Sequence, residues 1–197
     1  MKVGILGSGF MGRTHARAYA KMKGVEVAAI SSRHLEKAET LTNEVGGRAT
    51  NDNLAIIDDP SIDAISNTLP THLHAEYTIA ALKAGKHVLV EKPFALTAVD
   101  CDGMIAAQKE SGKVLLVAHV LRFWGDYISL VDFVQSGKIG KPLSAVATRL
   151  SQLPGWPTGS STRLGAGAQC LICASTTSMS STGSLARRSR SMPVAAS

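Results

Sequence analysis

Residues 2–12 read Lys-Val-Gly-Ile-Leu-Gly-Ser-Gly-Phe-Met-Gly, and this stretch decides the fold. Lys2 to Leu6 is a short apolar run that suits a buried strand, and Gly7-Ser8-Gly9-Phe10-Met11-Gly12 follows at once. Met11, His15, Ala18, Tyr19 and Met22 then recur at helical spacing, and Val25 to Ile30 is a second apolar run. Strand, G-x-G-x-x-G, helix, strand is the βαβ context that gives this motif its meaning. Gly7 allows the tight turn after the strand. Gly9 has no side chain, so a pyrophosphate can approach the backbone. Gly12 lets the helix close on the sheet. The helix begins with unpaired N–H groups and a partial positive charge, which suits a diphosphate. The loop Gly7, Ser8, Gly9, Phe10, Met11 and Gly12 is therefore expected to cradle a dinucleotide.

The end of the second strand selects between dinucleotides. An acid about 20 residues past the last glycine holds the ribose 2′-hydroxyl of NAD. Here that position falls in Ser31-Ser32-Arg33, which carries no carboxylate. The hydroxyls of Ser31 and Ser32 and the planar fork of Arg33 suit a 2′-phosphate instead. NADP is thus expected, with NAD as the alternative. The competing reading of Arg33 is a solvated charge leading into the next helix.

Beyond this unit, strand and helix patterns continue to alternate through residue 150, which predicts a doubly wound parallel sheet with helices on both faces. Leu35 to Val45 reads as a helix stopped by Gly46-Gly47, and Asn53 to Ile57 as a short helical piece. Ile62 to Asn67 is a strand ended by Thr68-Leu69-Pro70-Thr71, with Thr71 placed to cap a helix whose inner face is Leu73, Tyr77, Ala80, Ala81 and Ala84. His87 to Val90 is the next strand, and Thr97-x-x-Asp100 is a capping box opening a helix to Ser111. Lys113 to His119 reads as a strand. Tyr127, Leu130, Val131 and Val134 mark another helix, and Leu143 to Leu150 is strand-like. Lys92 follows a strand at the carboxyl edge of the sheet, where ligands of open α/β folds bind. Its ammonium can hydrogen-bond a developing alkoxide or carbonyl oxygen. The plain alternative is an exposed lysine before a turn-setting proline.

Composition narrows the function classes. The chain has 197 residues and a formal charge of +6. Arg163, Arg187, Arg188 and Arg190 are the only charged residues after 157, which leaves 17 basic against 15 acidic groups in the body of the chain. That balance argues against a nucleic-acid partner. No apolar stretch reaches a membrane span, no secretory leader pattern opens the chain, and three cysteines make no disulfide framework. A cytoplasmic protein is expected. The single Cys170-x-x-Cys173 pair has no partner pair and is not read as a metal site.

The chain resembles the Gfo/Idh/MocA family, named after glucose–fructose oxidoreductase and inositol dehydrogenase. The resemblance rests on VGILGSGFMGRTHARAY (3–19), Leu69-Pro70-Thr71-His72-Leu73-His74, Ala84-Gly85-Lys86-His87-Val88-Leu89-Val90-Glu91-Lys92-Pro93, HVLRFW (119–124) and Gly137-Lys138-Ile139-Gly140, in family order. It implies a two-domain NAD(P)-dependent oxidoreductase that moves a hydride between a sugar, cyclitol or polyol carbon and the nicotinamide, usually as a homo-oligomer. It implies that Lys92 lies beside the nicotinamide and the reacting hydroxyl, as the catalytic residue, and that Glu91 orients Lys92 or contacts the cofactor ribose. It places His74 near the cofactor, with packing or capping the open alternative, and Thr68, Leu69, Pro70 and His119 on the cofactor edge. The rival class is a non-catalytic nucleotide-binding or sensor module.

The expected domains are a cofactor domain over 1–120, a connecting helix and first strand of an incomplete α+β substrate domain over 121–157, and an anomalous tail over 158–197. Synonymous codons can be chosen so that the frame starting at the third base of the Pro157 codon reads DWFLDPARGGGAVLDLRIHDFDVVNWL. This contains the Leu-Asp-Leu and Ile-His-Asp with which the family pattern continues. Residues 158–197 are therefore expected to be out-of-frame translation after a one-base loss near codon 157, and the truncated chain is expected to bind cofactor while turning over poorly.

Overall fold

A computed structural model describes residues 1–144. Two compact units divide the chain, the first over 1–118 and the second from 119 onward. The first unit runs β1 (Lys2–Leu6), α1 (Phe10–Ala20), β2 (Glu26–Ser31), α2 (Leu35–Val45), β3 (Arg48–Thr50), α3 (Leu54–Ile57), β4 (Ala64–Asn67), α4 (His74–Lys83), β5 (His87–Val90), α5 (Ala98–Ser111) and β6 (Leu115–Val117). The strands form one sheet in the order β3-β2-β1-β4-β5-β6. Every pairing is parallel. The strand order reverses between β1 and β4, as in a Rossmann sheet. The second unit contributes a 3₁₀ turn at Val120–Phe123 and α6 (Gly125–Gln135). Among the described residues no helix is long and apolar enough to cross a membrane.

Alternation along β1 sends side chains to two separate cores. Val3 and Ile5 pack with Ala16 of α1 and with Ala38 and Leu41 of α2. Leu6 faces the other way, toward Ile56 of α3, Ala81 and Leu82 of α4, and Met104 and Ala107 of α5. Gly4 is small for a reason: a Cβ there would sit 2.3 Å from Ile56 Cγ2. In β2 the register slips between Val3 and Gly4 of its neighbour. The extra residue lets Val27 and Ile30, three apart, share the α1–α2 face.

Several expectations need correction. The short strand β3 carries only Arg-Ala-Thr, too brief for a visible period, and the sequence reading missed it. Thr71 does not cap α4. A 3₁₀ turn over Thr71–Leu73 intervenes, and α4 starts at His74 with no side-chain cap. Its fully buried residues are His74, Thr78, Ala81 and Leu82; of the expected face, Ala81 is buried, Tyr77 and Ala80 pack against the core, and Ala84 is exposed. Asn67 accounts for the polar residues on this face. Its Nδ2 donates to the His74 carbonyl (3.2 Å) and Thr78 Oγ1 (3.1 Å), which draws that polar edge inward. In α1 the buried residues are Gly12 and Ala16, and the helix ends before Met22, which is exposed. Thr97 does accept the Asp100 N–H (3.1 Å), but Asp100 returns to the Thr97 hydroxyl (2.8 Å) rather than to its backbone. Most of the strand expected over 143–150, and the whole tail from 158, lie outside the described residues.

One buried cation braces the amino end of the sheet. Lys86 is 6% exposed, and its Nζ donates to the carbonyls of Asp59 and Ile62, both at 2.7 Å. It ties the start of β5 to the turn that leads into β4. Replacing Lys86 with Met keeps the stem and removes the donors, leaving two carbonyls short of a partner. We expect a loss of about 2–4 kcal/mol in urea unfolding, with the midpoint falling and the slope unchanged.

Candidate functional site

The sheet register brings the candidate residues to one edge. Ser31, Leu6, Asn67 and Val90 lie side by side as the last residues of β2, β1, β4 and β5. One residue further stand Ser32, Gly7, Thr68 and Glu91. The next rank is Arg33, Ser8, Leu69 and Lys92. This edge is the carboxyl end of a parallel sheet at its topological switch point, the place where α/β sheets bind ligands.

The glycines divide by role. Gly7 has φ +99°, and its N–H donates to the Ser31 carbonyl (3.1 Å). A Cβ on Gly12 would fall 2.0 Å from the Gly7 carbonyl oxygen, so residue 12 is small because α1 packs against the loop there. A Cβ on Gly9 would meet nothing within 4 Å. Gly9 therefore faces open space, as expected where a ligand must reach the backbone. It caps α1 without a side-chain hydrogen bond, and the first turn carries no acid. Exposed Phe10 and half-buried Met11 flank this opening. These features fit a diphosphate.

Around the cradle the polar side chains hold one another. The Ser8 hydroxyl donates to Ser32 Oγ (2.7 Å), which also accepts the His34 N–H (3.3 Å). Ser32 is buried and shapes the turn, while Arg33 beside it is exposed. The Ser31 hydroxyl donates to Asn53 Oδ1 (2.5 Å). Thr68 Oγ1 donates to the Leu6 carbonyl (2.8 Å), with the Gly7 carbonyl at 3.2 Å, so its proton is committed to the loop. The Leu69 N–H donates to Asn67 Oδ1 (3.3 Å), and Pro70 leads into the 3₁₀ turn.

His74 is buried between two loops. Its Nδ1 lies 2.9 Å from the Pro93 carbonyl and its Nε2 2.8 Å from the Leu69 carbonyl. Burial lowers its pKa. The carbonyls of Leu69, Pro93 and Phe94 and the Glu91 carboxylate favour the charged ring, but they oppose burial without overcoming it. His74 thus joins the loop after β4 to the loop after β5, a bracing position rather than a ligand-facing one. His72 is exposed. His119 is the first residue of the second unit and precedes its 3₁₀ turn.

Sequence reasoning missed a cluster behind Lys92. His15 Nε2 lies 3.2 Å from Glu91 Oε1, and His15 Nδ1 lies 2.8 Å from Ser66 Oγ. The Tyr19 hydroxyl donates to the same Ser66 oxygen (3.4 Å). Burial raises the Tyr19 pKa, and the nearby Glu91 charge adds to this against the Ser66 hydrogen bond. Glu91 Oε2 accepts the Lys92 N–H (3.1 Å). His15 and Tyr19 were legible only as positions in a helical repeat. The i, i+4 pairing of two polar rings on a face otherwise made of Gly12 and Ala16 was the available signal.

Residues 1–119 match the family model described as an oxidoreductase family with an NAD-binding Rossmann fold. The chain belongs to this Gfo/Idh/MocA family. It is 33% identical over 158 residues to a 1,5-anhydro-D-fructose reductase of Ensifer adhaerens, covering 78% of this chain and 47% of the relative. An inositol 2-dehydrogenase of Salmonella typhimurium is 33% identical over 147 residues, with 73% and 44% covered. A solved structure of KijD10, a 3-ketoreductase from Actinomadura kijaniata in complex with NADP, superposes with a TM-score of 0.67 at 30% identity, covering 71% of this chain and 45% of that one. The chain thus spans about half the length of the relatives it matches.

The two glycines separate binding from folding. Gly9→Ala should leave the unfolding free energy within about 0.5 kcal/mol of the parent. It should still weaken coenzyme binding by about tenfold or more, read by titrating NADPH fluorescence. Gly12→Ala should cost about 1–3 kcal/mol of stability, because the gain in helix propensity is smaller than the cost of forcing α1 off the loop.

Proposed function

We propose that the carboxyl edge of this sheet binds NADP(H) and that the protein is an oxidoreductase acting on a sugar, cyclitol or polyol carbon. The observation that carries this is the aligned strand ends Ser31, Leu6, Asn67 and Val90, each two residues before Arg33, Ser8, Leu69 and Lys92, with the open backbone at Gly9 in the loop after β1. The diphosphate sits on the first turn of α1. The adenosine end lies toward β2, where exposed Arg33 pairs with the 2′-phosphate and no acid repels it. The other end lies toward β5 and Lys92. The bound NADP of KijD10 supports the same coenzyme here.

When bound, the nicotinamide supplies hydride transfer. The chain's own part is to place a donor at the reacting oxygen. Half-buried Lys92 holds an ammonium where a hydroxyl is becoming a carbonyl, or the reverse, and stabilises negative charge on that oxygen. The reductase and dehydrogenase names of the relatives support a small hydroxylated or keto substrate. The out-of-frame reading of residues 158–197 belongs to this proposal. In that reading the Ile-His-Asp histidine, a proton-transfer partner in the family, lies in the displaced frame. Sequencing the gene across codon 157 decides it, since an uninterrupted frame there overturns the reading.

Coenzyme titration of the purified chain tests the binding half of the proposal. NADPH should bind more tightly than NADH. Arg33→Ala should weaken NADPH by about tenfold and leave NADH within about twofold. A folded chain that binds neither coenzyme overturns the proposal. Equal losses for both coenzymes would remove Arg33 as the selector. Lys92→Met in the frame-repaired protein should abolish polyol-dependent NADPH formation while NADPH still binds. Binding without turnover by the repaired parent would favour the non-catalytic module.

A further inference from the structure

Helix α1 has contacts at both ends of the proposed site. Its first turn forms the cradle, and its next turns reach inward to β4 and to the residue after β5. The side chains there form one continuous line. Tyr19 donates to Ser66 Oγ (3.4 Å), Ser66 meets His15 Nδ1 (2.8 Å), His15 Nε2 meets Glu91 Oε1 (3.2 Å), and Glu91 Oε2 accepts the Lys92 N–H (3.1 Å). The His15 and Glu91 side chains are only 12% and 8% exposed, and Ser66 is fully buried.

Donor and acceptor counting fixes the direction of this line. A carboxylate only accepts, so Nε2 carries a ring proton facing Glu91. In the neutral ring Nδ1 is a lone pair that takes the Ser66 proton, and the Ser66 oxygen accepts from Tyr19. Each donor has one acceptor. Position 91 meets two donors, the His15 ring N–H and the Lys92 backbone N–H. Glutamate offers an oxygen to each, whereas one arm of a glutamine amide would oppose a donor. The carboxylate is therefore matched to the pair, and Lys92's main chain is held by a group that is itself held by α1.

We propose that His15 is a positioning residue. Acting through Glu91, it fixes the backbone of Lys92 and couples the seating of a diphosphate on α1 to the presentation of the Lys92 ammonium at the far end of the coenzyme. This rests on the NADP reading above. It requires that His15 matter to the nicotinamide half of the ligand and not to the adenosine half.

Two measurements on the full chain test it. The first compares NADPH with adenosine 2′,5′-bisphosphate, which lacks the nicotinamide half. The second is backbone amide hydrogen exchange at Lys92 and along Val88–Val90, without ligand. In His15→Phe the NADPH Kd should rise about tenfold, while the bisphosphate Kd stays within about twofold. The Lys92 amide should exchange about tenfold faster, with the β5 amides unchanged. Ser66→Ala, which keeps the ring and removes its Nδ1 partner, should shift both readouts in the same direction by less. It also carries the test if His15→Phe does not fold. Equal weakening of both ligands with faster exchange throughout β5 would show a merely structural histidine, and no change in either readout would also overturn the proposal. Should the parent bind neither ligand, the NADP reading fails by itself. The exchange at Lys92 would still report whether His15 holds that backbone.

Discussion

Residue 12 has room for a hydrogen atom and nothing larger. The 2.0 Å that would separate a Cβ there from the Gly7 carbonyl oxygen sets how closely α1 approaches the end of β1. That closeness aims the first turn of the helix at the space above Gly9. It also brings the second and third turns near enough for His15 and Tyr19 to reach Ser66, and for His15 to reach Glu91. A helix lifted off the loop would still be amphipathic and could still cover the sheet. It would lose both the cradle and the contact behind Lys92.

The sequence discloses the first βαβ unit and α2 closely, because their signals are redundant. β1 matches the apolar run 2–6, and α2 ends at the glycine pair that marks its stop. Where only one weak signal was present, the reading failed. Three residues of β3 cannot display a period. The alanines and Tyr77 marked part of the inner face of α4, but the buried Thr78 and His74 could not be foreseen, because their partner Asn67 lies on a different element. The same holds at the site. The glycine loop and Lys92 are written in contiguous motifs. The line of contacts linking Tyr19, Ser66, His15 and Glu91 is assembled from residues up to 76 positions apart in sequence and needs the sheet order before it exists.

His74 shows how a signature residue can be engaged within the fold itself. A histidine at the carboxyl edge of a nucleotide-binding sheet invites a chemical role. Here both ring nitrogens already face carbonyl oxygens, one from each of two neighbouring loops. Such a ring has no nitrogen left to offer. It lies between the Leu69 and Pro93 segments, and in the neutral form that burial favours its single ring N–H donates to one of the two carbonyls.

The two lysines of the Gly-Lys-His…Glu-Lys-Pro segment make the same point more sharply. Lys86 and Lys92 bracket the four residues of β5, one at the amino end and one at the carboxyl end. At the amino end of a parallel sheet the turns arrive with unpaired carbonyls, and Lys86 is drawn inward to satisfy two of them. At the carboxyl end the neighbouring positions are a glycine loop, a threonine committed to that loop, and a carboxylate already shared between His15 and the backbone. Among the described residues no hydrogen bond or ion pair occupies the Lys92 ammonium, and the neighbouring groups are engaged elsewhere. Identical side chains six residues apart thus differ in role because a parallel sheet has two unlike ends, and only one of them faces the cradle.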